Sequence, residues 1–84
     1  MKLKISEARI LVLLKNLEVR LRFARFISKK LDMDYAYTLE ILDKMVYKGW
    51  IQKDKQITKF YYHILKAAPL EEATRRLTEW IKPP

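Results

Sequence analysis

Apolar residues recur at three- and four-residue steps in four stretches of the chain, and a fifth stretch, between the third and the last, carries β-branched and aromatic residues in an extended pattern. Ile10, Leu13, Leu14 and Leu17 predict a first helix from a Ser6 cap, with Glu7 at its positive end, to about Leu17 or Glu18. Leu11 and Val12 widen its apolar stripe beyond one face, so this helix needs cover from two directions, from the C-terminal helix or from a second subunit. Val19 to Leu21 reads as a basic, β-branched connector or short strand. A second helix over about 22–31 turns Phe23, Phe26, Ile27 and Leu31 inward and leaves Arg22, Arg25 and Lys29 outward.

Asp34 stands at the N-cap of a third helix, about 34–48, in which Thr38, Ile41, Leu42 and Met45 share one face, and Lys48-Gly49 stops it where a positive φ is needed. Trp50 to Lys53 and Lys59 to Leu65 read as two strands of a hairpin with a lysine-bearing tip. The tip has neither glycine nor asparagine, which predicts a loop longer than two residues, and Trp50 and Phe60 are expected in the core. Pro69 opens a last helix, about 69–81, with Glu71 and Glu72 in its first turn and Leu70, Ala73, Leu77, Trp80 and Ile81 on one face, closed by Lys82-Pro83-Pro84.

Eighty-four residues suffice for one domain with a single modest core. The absence of cysteine excludes disulfides and thiolate metal sites, and one histidine without carboxylate companions at ligand spacing makes neither a metal centre nor a catalytic one. A single glycine leaves no glycine-rich phosphate loop, so the expectation is a chain that is not an enzyme and takes no cofactor, with no small-molecule ligand evident. No apolar run approaches membrane-spanning length, and the first residues lack a signal-peptide core; the expected compartment is the cytoplasm.

Charge is unevenly distributed along the chain. Eighteen Lys and Arg against ten Asp and Glu give +8. Residues 19–31 carry Arg20, Arg22, Arg25, Lys29 and Lys30 with no acid, and residues 48–59 carry Lys48, Lys53, Lys55 and Lys59 against Asp54 alone. The third helix between them is acidic, with Asp32, Asp34, Glu40 and Asp43 in its stretch against Lys44. Cations that flank one helix favour a polyanion partner; the plainer reading is a solvated lysine-rich surface.

The order helix, helix, turn, helix, hairpin, helix resembles the winged helix-turn-helix superfamily, in particular small prokaryotic transcriptional regulators of the MarR, ArsR and PadR kind. The likeness is densest from Phe26 to Ile51: Ile27-Ser28-Lys29-Lys30-Leu31-Asp32-Met33-Asp34 looks like the end of helix two and the turn, and Lys48-Gly49-Trp50-Ile51 looks like the entry to the wing. Phe60 to Ile64 is similar to the returning aromatic strand. Two departures are visible: Asp32 stands where the family has a turn glycine, and the exposed face of helix three carries Tyr35, Tyr37 and Glu40 in place of small or basic residues.

The resemblance implies an α+β, mostly helical fold: a three-helix core, a two-stranded wing over about 50–65 and a C-terminal helix. It implies a double-stranded DNA partner and a homodimer. Tyr35, Ala36, Tyr37 and Glu40 would then face bases, with Lys44 near the helix end. Arg22, Arg25, Lys29 and Lys30 would hold phosphates, and Lys53, Lys55, Gln56 and Lys59 would reach phosphate or the minor groove. Leu11, Val12, Leu77, Trp80 and Ile81 are candidates for the dimer interface, where an effector would also have to bind.

Each of these residues has a plainer role as well. Tyr35 and Tyr37 also suit packing at the helix start, and Glu40 suits an ion pair with Lys44 four residues on. Two other functions fit the same residues: a protein-interaction module, using Asp34, Glu40, Asp43 and the tyrosines, and a single-strand or RNA binder that stacks bases on Tyr35, Tyr37, Tyr61 and Tyr62.

Overall fold

A computed structural model describes residues 3–81, with Ile81 by its backbone alone. The chain is α+β and mostly helical: α1 (Ile5–Asn16), a 3₁₀ turn (Val19–Leu21), α2 (Ala24–Lys30), α3 (Tyr35–Tyr47), an antiparallel hairpin of β1 (Ile51–Gln56) and β2 (Lys59–Ile64), and α4 (Leu70–Ile81). The layout is compatible with a winged helix. Among the described residues no helix is long and apolar enough to cross a membrane.

The N-cap of α1 is Lys4, not Ser6, because Glu7 reaches back to accept the Lys4 backbone N–H at 3.0 Å and so satisfies one of the free donors at the helix start. Its other carboxylate oxygen takes the Lys48 ammonium at 2.7 Å, across 41 residues of sequence. Glu7 is 2% exposed, and this paired charge ties the start of α1 to the end of α3. Ala8, Ile10, Leu11 and Leu14 are fully buried, and α4 lies along α1 with Ala73 buried between them. The second cover that α1 needs thus comes from the chain's own last helix.

Val19 to Leu21 forms a 3₁₀ turn instead of a strand, and α2 begins at Ala24, two residues later than its periodicity suggests. Phe23, just before α2, pairs with Tyr61 in an isolated bridge, and Arg22 accepts the Tyr62 N–H at 2.8 Å. The connector therefore borders the outer edge of β2 as a minimal third strand.

The turn and α3 follow from local chemistry. Asp32 takes φ +54°, as a short polar side chain tolerates, and Asp34 caps α3 through its carboxylate, which accepts the Tyr37 N–H at 3.0 Å. Thr38, Ile41, Leu42 and Met45 face the core. At the other end Trp50 N–H bonds to Met45 O and Gly49 N–H to Val46 O, both at 3.0 Å, with Gly49 at φ +79°. These two bonds form a Schellman stop, which requires the left-handed residue. A Cβ at Gly49 would meet nothing within 4 Å, so Gly49→Ala is expected to cost only the backbone term, about 1 kcal/mol. Thermal denaturation should show a drop of about 4–8 °C.

The hairpin corrects one expectation: its turn is two residues long. Register pairs Ile51 with Ile64, Lys53 with Tyr62 and Gln56 with Lys59, leaving Ile57 and Thr58 to turn, with Ile57 at φ +54°. A β-branched residue there costs about 1–2 kcal/mol. The register is held by burial of Ile51 and Tyr62 on one face, because a one-residue slip would turn both to solvent; the turn accepts the strain that results. Phe60 is a second correction, since it is 44% exposed. It shares the face of Tyr62 and Ile64, but lies beyond the reach of the helices that cover them at the base of the hairpin.

Candidate nucleic-acid interface

Capping by Asp34 turns the first residues of α3 toward solvent: Ala36 is exposed, Tyr35 is 40% and Tyr37 48% exposed. Beside them a groove of about 550 Å³ opens between α2, α3 and the hairpin. Its lining includes Arg25 from α2, Tyr35, Leu39 and Asp43 from α3, and Lys53, Lys59 and Phe60 from the strands. Buried Tyr62 also contributes, its phenol pushed up to about 12 by burial first, then by the charges of Asp43 and Tyr35. A raised phenol favours the neutral folded form below pH 10 and loses that contribution only as pH climbs toward 12, so Tyr62 is neutral near pH 7.

The cations here are seated on aromatic rings. The Arg25 guanidinium lies 4.6 Å from the Tyr35 ring centre, Lys59 Nζ 4.0 Å from Phe23, and Lys53 Nζ 4.4 Å from Phe60, with Lys55 at 5.8 Å from the same ring. A ring face holds the charge in place without using its hydrogen-bond donors, which stay free for an anion. Strand alternation makes the arrangement, since Lys53, Lys55 and Phe60 share one face of the hairpin. Lys53 also lies 3.8 Å from Asp43, a mostly exposed pair that a phosphate would compete with.

Of the residues singled out from sequence, Arg25, Tyr35, Lys53 and Lys59 converge on this groove. Lys29 and Lys30 are exposed at the last turn of α2, and Lys55 is exposed near the hairpin tip. Three others sit elsewhere. Arg22 lies before α2 and is half-buried, its Nε donating to Leu17 O at 2.9 Å, so it braces the connector instead of joining an outward row with Arg25 and Lys29. Gln56 points to the opposite face of the hairpin, where it donates to Asp54 at 2.9 Å beside Tyr61 and His63. Lys44 lies with Glu40, Asp43, Tyr47 and Lys48 along the flank of α3. Among the described residues Glu40 has no cation within 4.0 Å, so its expected pair with Lys44 is not formed.

Phe23 and Phe60 are contributors that helix-face and core assignments missed, because their partnership with Lys59 and Lys53 depends on strand register. A separate shallow surface joins Arg9, Val12, Leu13, Leu31, Leu77 and Trp80, with Trp80 56% exposed and 5.9 Å from the Arg9 guanidinium. Leu11 has no part in it. It is fully buried in the chain's own core, a correction to its place among interface candidates, while the side chain of Ile81 and residues 82–84 lie outside the described residues.

Among the described residues no group of three or more His, Asp or Glu side chains gathers that could hold a metal ion. Fold and site together define a small α+β domain with a basic, aromatic-backed groove beside one capped helix. No family model, curated protein or solved structure matches the chain.

Proposed function

We propose that this chain is a winged helix-turn-helix domain that binds double-stranded DNA and regulates transcription. In this reading the N-terminal half of α3 enters the major groove, with Tyr35, Ala36, Tyr37 and Glu40 toward the bases. Arg25, Lys29, Lys30 and the lysines of the hairpin hold the backbone on either side. The observation that carries it is the convergence of Arg25 from one segment and Lys53 and Lys59 from another on a single groove next to the exposed start of α3. Contacts of this kind supply affinity, and the few exposed residues of α3 supply whatever sequence preference there is.

A homodimer would pair two recognition helices one turn of DNA apart, and the surface of Val12, Leu77 and Trp80 is the proposed seam. The test is fluorescence anisotropy with a random duplex at two salt concentrations, together with the mass in solution. Binding should weaken steeply with salt, by a slope of about 0.9 for each phosphate contact. Salt-insensitive association, or none at low salt, would overturn the proposal.

The flank of α3, where Glu40 and Asp43 lie among Lys44 and Lys48 beside a 93% exposed Tyr47, supports a second reading, a protein-interaction module within a nucleic-acid-processing assembly. The same titration separates the two, since the module would leave random duplex unbound even at low salt.

A further inference from the structure

The hairpin tip breaks two rules at one residue. Ile57 is 93% exposed, and it holds φ +54°, a conformation that β-branched side chains rarely adopt. The buried register imposes the positive φ at this position, but neither packing nor backbone preference within the chain accounts for isoleucine there instead of glycine or asparagine, which points to a role outside the fold. Its neighbours are Lys55, Gln56, Thr58 and Lys59, so an aliphatic side chain sits at the apex of a cationic, polar loop. That combination complements the minor groove, where lysines meet phosphates and an apolar residue slips between base pairs.

Reach agrees with this. Six strand residues extend about 20 Å, whereas the major groove is about 12 Å wide, so with α3 in that groove the hairpin is long enough for its tip to cross the phosphate ridge to the adjoining minor groove. We infer that Ile57 is an apolar wedge that enters the DNA minor groove and unstacks a base step, an assignment that rests on the duplex-binding reading above. Pyrimidine–purine steps such as TA, which unstack most easily, are its expected targets. A lipid surface is the weaker occupant, because one aliphatic side chain adds little bilayer affinity.

The experiment uses the full chain and a short duplex with central TA steps that carries 2-aminopurine beside them and a fluorophore pair at its ends, with Ile57→Gly and Ile57→Asn as variants. Both replacements accept a positive φ, so the hairpin persists, as circular dichroism verifies. Wild type should raise the 2-aminopurine emission and bring the ends closer by a bend on the order of 20–90°. Both variants should lose these changes and still bind with a salt slope within one contact of wild type.

Salt-dependent binding without unstacking or bending would overturn the wedge and leave the DNA reading standing. Variants that still unstack the duplex would overturn it as well. Failure of the wild type to bind any duplex would remove both proposals. Ile57-dependent binding to anionic vesicles without duplex binding would assign the tip to membranes and overturn the wedge.

Discussion

Replacing Arg25, Lys55 and Lys59 together by alanine should weaken binding to random duplex about 500-fold near 0.1 M salt and lower the salt slope by about 2.7. Each phosphate contact releases about 0.9 of a counterion, which at that salt is close to tenfold in affinity. All three side chains are exposed, so the fold should survive. The loss of the Arg25–Tyr35 and Lys59–Phe23 contacts costs about 0.5–1 kcal/mol each at exposed sites, which circular dichroism should register as a melting shift of a few degrees.

The informative control removes the same charge elsewhere. Lys15, Lys66 and Arg75 are also exposed, on α1, the loop before α4, and α4. Their joint replacement by alanine should change affinity far less, because long-range attraction is screened beyond about 10 Å at this salt. Equal damage from both triples would mean that net charge alone drives association, and that the convergence of Arg25 and Lys59 on the groove is incidental.

The largest stability effect is expected from Leu42→Ala. Leu42 is fully buried on the inner face of α3, and truncating such a side chain costs about 3–5 kcal/mol. A domain of 84 residues has roughly 4–13 kcal/mol to lose, so the midpoint should fall by roughly 15–35 °C. Duplex binding should weaken in parallel, since the exposed face of α3 is oriented only by the packing of the buried one. Tyr37→Ala, on the outer face, should shift stability by no more than about 0.5 kcal/mol and change sequence preference instead. A Leu42→Ala protein that melts like wild type would contradict the packing of α3 on the core.

The helices were legible because each is written in nearby residues. The Thr38, Ile41, Leu42 and Met45 face, the Asp34 cap and the Gly49 stop act within one or two turns, and all three operate in the structure as the sequence implies. Ser6 does not cap α1, because the competing acceptor, Glu7, is shared with Lys48 from 41 residues away, beyond the reach of local pattern. The turn at Ile57 was misjudged because hairpin register is set by which strand face is buried, and local turn preference yields to it.

The number and type of helices, the caps of α3, the hairpin and the separation of charge into two basic stretches can all be read from the residues in order. All of these depend on residues a few positions apart. Only tertiary structure decided that α4 covers α1, that Phe60 stays open to carry Lys53, that Arg22 and Gln56 turn away from Arg25, and that both basic stretches meet in one groove. Those outcomes depend on register and on packing between elements far apart in the chain, where burial of a few large side chains outweighs every local preference.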